Sequence, residues 1–480
     1  MKTIKYLIAG ALAMALSAPA MAQEVDYKTA LEPVAKALES NSADANDLIK
    51  KYTKEFKKNP EALVALGKTY FGEKKYAEAK AIGESLINNK KFANFGDAYI
   101  LLGDVAVAEA QDGDAGPAAN YYETAISVDP KNKTAYERYA TVNRNAAPEE
   151  AIRVLQEYKK IDPTYQVEAK VADLYYNQNR FQDAVDWYKK GDASNYSFTD
   201  FAKWAYANFF RTNYKDALAV AKQGLAKFNN NVDLTRAALY SSVETEDFTN
   251  AVNYGKVLFD STKAPTAMDY SYLGSAQLGV KDYQNAITNL SKALELEPKD
   301  LKPMGKISQA YMGLGDENKA LEYSQKYLEK EPNPGYSDYS NLADIYTKKG
   351  DDAKGAEKTD WYNKAMGVWE LMATKAPSIA DIAYYMELQI ADNQLKDQNK
   401  VRELYQKIIT TDENKTDLSS NSKLILTAAY LNEAINYNNT KQPEKAKEYA
   451  EKVLKIDPNN ATAKQILSFG QPTEEAAPAE

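Results

Sequence analysis

Apolar residues recur at i, i+3, i+4 and i+7 along most of the chain, in short segments that end alike. ALELEPKD at 293–300, AISVDPKN ending at Asn132, EYKKIDPT ending at Thr164 and VLKIDPNN ending at Asn460 share one form. Each runs from an apolar stripe into an acidic residue, a proline and a polar residue. The spacing predicts amphipathic helices. The proline closes each one, because it has no N–H to donate and its ring clashes with the preceding turn.

The endings belong to a longer period. Counting back from Pro298 gives Leu290, Ala286, Gly274, Leu273 and Tyr270, and the next unit gives Met304, Ile307, Ser308, Tyr311, Ala320 and Pro332. Leu63, Leu66, Gly67, Tyr70 and Ala79 repeat the arrangement upstream, as do Tyr99, Leu102, Gly103, Ala118, Tyr122 and Pro130. Tyr339, Leu342, Ala343 and Tyr346 continue it to Ala365, Trp369 and Pro377, and Tyr430, Ala434, Tyr437, Ala446 and Pro458 form the last clear unit. An aromatic residue also stands three before the alanine in Tyr76/Ala79, Phe181/Ala184, Tyr214/Ala217, Phe248/Ala251, Tyr283/Ala286 and Tyr362/Ala365.

This pattern resembles the tetratricopeptide repeat, whose ~34-residue unit reads W-x2-L-G-x2-Y, then A-x3-F, then P. Units start near residues 60, 96, 132, 165, 198, 232, 267, 301, 336, 379 and 427, and 26–59 reads as a degenerate further one. The resemblance implies an all-α fold, an α-solenoid in which antiparallel helical hairpins stack into a superhelix. Small residues such as Gly274 and Ala286 let the paired backbones approach. A single hairpin cannot bury its apolar face, so neighbours must stack.

The expected organisation is a signal peptide at 1–22, a degenerate or capping hairpin at 23–59 and regular units at 60–335. Irregular units with insertions and a capping helix fill 336–469, and a disordered acidic tail occupies 470–480. Polar stretches at 347–361 and 411–422 predict extended or mobile connectors. The start, MKTIKYLIAGALAMALSAPAMAQE, has Lys2 and Lys5, an apolar run and Ala20-Met21-Ala22, the pattern of a cleaved secretory signal. Cleavage is expected after Ala22, delivering a soluble protein to the periplasm of a Gram-negative bacterium, with secretion to the exterior as the alternative.

Composition narrows the chemistry. The chain has no Cys and no His, so disulfides, thiolate metal sites and imidazole catalysis are out of reach. A net charge of −8 without a basic run argues against nucleic acid and anionic lipid. Ser420-x-x-Lys423 matches a nucleophile pattern, but its companion motifs are missing. DGDAG, with Asp112 and Asp114, lacks the later ligands of a calcium loop and reads as a polar turn. Trp204 and Trp369 fall on packing positions, and Trp187 lies beside one. No enzymatic activity, cofactor or metal is expected.

The resemblance implies a binder of proteins or peptides, with positions 2, 5, 9, 12 and 13 of each unit facing the groove. Near the C-terminal end these are polar or small, as in Ser337, Ser340 and Asp344. Between 165 and 244 they are Tyr176, Tyr206, Phe209, Phe210 and Tyr240, and this aromatic set is the expected partner-binding surface. The leading expectation is a periplasmic scaffold or adaptor. The alternatives are a glycan- or peptidoglycan-binding module and an accessory subunit of a cell-envelope complex.

Overall fold

The protein is described here from a computed structural model covering residues 26–110 and 114–468. The signal segment 1–22 with its cleavage point, Asp112 and the tail at 470–480 lie outside the described residues.

All regular structure among the described residues is helical, and the chain divides into two compact units between Val220 and Ala221. In the first unit, α1 (Tyr27–Glu39) pairs with α2 (Ala45–Glu55), α3 (Pro60–Gly72) with α4 (Tyr76–Ile87), and α5 (Gly96–Glu109) with α6 (Gly116–Val128). There α7 (Lys133–Asn143) also pairs with α8 (Pro148–Ile161), and α9 (Val167–Asn177) with α10 (Phe181–Lys190). Next, α11 (Phe198–Phe210) packs on α9 and α10, and α12 (Tyr214–Lys227) crosses the division.

In the second unit, α13 (Val232–Glu244) pairs with α14 (Phe248–Ser261), α15 (Ala267–Gly279) with α16 (Tyr283–Leu296), and α17 (Lys302–Leu314) with α18 (Glu317–Lys330). Then α19 (Tyr336–Asp352) pairs with α20 (Gly355–Lys375), α21 (Ala380–Ile390) with α22 (Gln398–Asp412), and α23 (Ser420–Asn439) with α24 (Pro443–Ile456). A last helix, α25 (Ala461–Ser468), packs on α23 and α24. Each unit is therefore an all-α stack of helical hairpins.

The periodic residues make the contacts their spacing implies. A Cβ on Gly274 would come within 2.7 Å of Leu290 Cγ and 3.1 Å of the Leu290 backbone N, so α15 and α16 approach to a distance that glycine permits. Ala286 and Leu290 are fully buried there. Trp369 is 1% exposed, while Trp204 and Trp187 pack partly buried against the cores around α9 and α10. Residues 297–301 link α16 to α17, which makes ALELEPKD a junction between stacked hairpins.

In seven of the hairpins the first helix ends on a left-handed residue with one shared hydrogen-bond pattern. Lys74, Asn179, Thr212, Glu246, Lys281, Gly315 and Lys441 all have positive φ, and among these turns only that at 315 uses glycine. The next N–H reaches back five residues, as in Asp282 N to Gln277 O at 2.8 Å and Asp316 N to Tyr311 O at 2.9 Å. This is a Schellman ending, which satisfies carbonyls that the helix itself leaves unpaired.

Two connectors differ from expectation. The polar stretch at 347–361 is not an extended turn: α19 runs on to Asp352 and α20 begins at Gly355. The charges support helix, because Lys348 pairs with Asp352 one turn later. Side chains close the lengthened pair too, since Tyr362 is fully buried and donates to Asp351 Oδ1 at 2.7 Å. Trp361 stacks on Tyr346 at 5.8 Å, with Lys349 and Lys364 over its ring. The second connector shrinks to 413–419, because α23 starts at Ser420 with Ser419 capping Ser422 N at 3.0 Å.

Candidate partner-binding surface

Four of the five expected residues come together on the first unit. Tyr176 ends α9, while Tyr206, Phe209 and Phe210 occupy the last two turns of α11. Phe181, at the start of α10, joins them: its ring lies 5.6 Å from Tyr176 and 4.9 Å from Phe210. Phe210 stacks on Tyr206 at 6.2 Å and meets Phe209 edge-on at 6.1 Å, and Phe209 meets Tyr214 at 5.2 Å. The sequence placed Phe181 and Tyr214 in the repeat signature, so their share in this surface was not anticipated. Stacking brings Phe181 there, since the start of α10 lies beside the end of α11, whereas Tyr214 opens the helix that directly follows Phe209.

Exposure is graded across the cluster. Phe210 is 53% exposed, whereas Tyr176, Phe181, Tyr206 and Phe209 are half-buried. The half-buried rings form a floor, and Phe210 projects from it. Burial, with the Asp173 carboxylate as a second cause, pushes the Tyr176 hydroxyl up to about 12, so it stays a neutral donor. Lys203 pairs with Asp173 and lies 5.8 Å from the Tyr176 ring centroid. The surface thus offers apolar rings, phenols and a locally neutralised ion pair.

Tyr240 does not belong to an exposed surface, and this corrects the sequence expectation. It is 3% exposed, stacks on Tyr272 at 4.2 Å and donates to Asp269 Oδ1 at 2.7 Å. Asp269 is fully buried and receives both Arg236 Nε at 2.7 Å and Arg236 Nη2 at 3.0 Å. It also caps α15, accepting from Thr266 N at 2.9 Å. Burial pushes this carboxyl up, but Arg236, the Thr266 amide and Tyr240 together outweigh it and hold it below the usual carboxylate range. Thr266-x-x-Asp269 was a readable capping box; its pairing with Arg236 and Tyr240 depended on the hairpin stacking.

The other chemical candidates lie at a turn and a helix start. Asp114 Oδ1 accepts from Gly116 N at 2.9 Å, as a polar turn does. Ser420 and Lys423 occupy the first turn of α23. No three His, Cys, Asp or Glu residues gather at metal-binding distance among the described residues, and none of the described helices is long and apolar enough to cross a membrane.

Comparison with known proteins agrees with the geometry. A family model for the tetratricopeptide repeat matches residues 272–300, 302–334 and 427–460. Photosystem I assembly protein Ycf3 of a Prochlorococcus marinus strain is 32% identical over 121 residues, 24% of this chain and 69% of that protein. Its counterpart in a Synechococcus strain is 31% identical over the same coverage. Among solved structures, the C-terminal part of a TPR repeat-containing protein from Cytophaga hutchinsonii is 20% identical with a TM-score of 0.43, covering 55% of this chain and 99% of that one. A crystal structure of MamA protein is 22% identical with a TM-score of 0.31, covering 37% and 94%.

Proposed function

The chain belongs to the tetratricopeptide repeat family, and from that premise we propose a non-enzymatic periplasmic scaffold that holds a partner polypeptide on the rings around Phe210. Repeats of this kind make a protein-interaction scaffold, and the identity of the partner is a matter for the surface rather than the fold. The observation that carries the reading is Phe210 itself. A phenylalanine 53% exposed above four half-buried rings is an anchor awaiting a cover, because large rings lose free energy in water and dominate binding when desolvated. The relatives named as photosystem assembly proteins support an assembly role in general terms only. Export rests on the apolar N-terminal run behind Lys2 and Lys5.

Capture from periplasmic extract tests the reading. Wild-type protein is expected to retain a discrete protein, and Phe210→Ala with Tyr176→Ala is expected to lose at least tenfold of it with little change in melting. Retention on purified cell-wall glycan without a protein partner would instead favour a glycan-binding module. An intact mass still including residues 1–22, in protein from its native host, would remove the export step.

A further inference from the structure

One helix of the second unit is apolar on two faces. The core face of α23 carries Ile425, Leu426, Ala429, Tyr430 and Ala434, all buried. A second stripe runs through Leu424, Ala428, Leu431 and Ile435, at i, i+4, i+7 and i+11. Leu424 is 69% exposed and Ile435 39%, with Ala428 and Leu431 half-buried between them. Beside the stripe, a pocket of about 300 Å³ opens between α21 and α23, lined by Ile382, Tyr385, Asn421, Leu424, Ile425 and Ala428. A helix apolar on both faces is normally covered on both.

We propose that a second copy of this chain covers the stripe, α23 against α23 in antiparallel two-fold pairing. The stripe's own symmetry favours that occupant, and the charges do not oppose it. The whole chain carries −8, so two copies repel in general. On α23, however, the single carboxylate, Glu433, is fully buried, and the single cation is Lys423 at one end. Asn421, Asn432 and Asn438 flank the stripe, so no exposed carboxylates on the two helices oppose each other. The stripe is also self-complementary. Reversed, Leu424 meets Ile435 of the other copy and Ala428 meets Leu431, which is what an isologous interface requires. A stable pair buries roughly 1,200 Å² or more, beyond what one ~30 Å helix stripe supplies. Ile382 and Tyr385 of α21, which line the adjoining pocket beside Leu424, supply the further area.

Light scattering and sedimentation velocity on the full chain, across micromolar concentrations, test this. A dimer is expected, and Leu424→Asp with Ile435→Asp is expected to weaken it at least 100-fold while the helical melt stays in place. The chain has no cysteine, so Leu424→Cys with Ile435→Cys gives a clean register test. Eleven helical residues separate the two positions by ~16 Å, too far for a bond within one chain, whereas antiparallel pairing predicts interchain disulfides on oxidation. A monomer at every concentration overturns the proposal, as does a dimer indifferent to the aspartates. Dimerisation only after truncation at Ser468 would also overturn it, assigning the stripe to the chain's own tail. So would a monomer that captures a foreign amphipathic helix through Leu424.

Discussion

Both units hold their helices together with carboxylates, but most of those carboxylates are placed differently; Asp104 of the first unit, 16% exposed and paired with Arg138 at 3.1 Å, lies between the two kinds. In the first unit, Asp97, Glu137 and Asp173 are 36%, 26% and 33% exposed at the side chain and pair with Lys68, Lys170 and Lys203 of a neighbouring first helix. In the second unit, Asp269, Glu387, Asp412 and Glu433 are at most 2% exposed. Asp269 has every oxygen engaged. Glu387 Oε2 and both oxygens of Glu433 have no hydrogen-bond partner, and the Asp412 carboxyl lies against that of Asp381. The difference separates ties that water still shares from ties that depend wholly on protein partners. The first kind contributes little and is replaceable. The second kind is costly to break, and where it is incomplete it makes stability depend on pH.

Arginine 236 offers the largest test of that contrast. Arg236→Ala leaves the Asp269 carboxylate buried without its cation, and a loss of about 3–5 kcal/mol is expected. Lys203→Ala in the first unit exposes Asp173 to water already at hand, and the expected loss is below about 1 kcal/mol. Denaturant melts of the two variants measure both. Equal losses would erase the distinction between shared and buried ties.

The next effect is on pH. Burial pushes the Asp412 carboxyl up, more than Lys415 at 2.7 Å pulls it down, and Asp381 of α21 adds to the rise. Tyr430 of α23 also lies within electrostatic reach. Burial likewise raises Glu387 against the pull of Lys400 at 3.1 Å. A carboxyl raised in the folded state holds its proton more tightly than in the unfolded chain. Its contribution is therefore present below the unfolded value near ~4 and is lost as pH rises through the folded value. The second unit is expected to melt at lower temperature at neutral pH than at mildly acidic pH through these groups. Asp412→Asn with Glu387→Gln should flatten that slope and raise the melting temperature of the neutral-pH form. An unchanged slope in the double variant would show that other groups set it.

The hairpins were legible in the sequence because their determinants are local or repeat at fixed spacing. Gly274, Leu290 and Pro298 show the same unit wherever it recurs. What stayed hidden depended on partners one hairpin away. Tyr240 occupies a groove position by count, yet Asp269 and Tyr272 of the next hairpin bury it. Phe210 was legible as a groove residue, but Phe181 beneath it belongs to the preceding hairpin. Composition misled at 347–361 and 411–422, where polar residues that suit loops also suit an exposed helix face. Leu424 and the stripe behind it were lost beside the expected connector for that reason.

The smallest effect asks whether the two units also differ in their turns. Lys281 in the second unit and Thr212 in the first both hold φ near +60°, at 64° and 59°, where a Cβ crowds the backbone at roughly 1 kcal/mol. Glycine removes that strain but adds freedom to the unfolded chain, so the net gain is smaller than the strain itself. Lys281→Gly and Thr212→Gly are each expected to stabilise by about 0.5 kcal/mol. Thr212 should gain slightly more, since its branched side chain tolerates the left-handed region least. Asn179→Gly should gain least, because asparagine already accepts that conformation. Gly315→Ala, at φ 78°, should cost about 1 kcal/mol. Thermal melts of the set decide it. Matching gains at 212 and 281 would mean that the turns are energetically alike, leaving the buried carboxylates as the source of the contrast between units. A gain confined to one unit would show that its turns carry strain of their own.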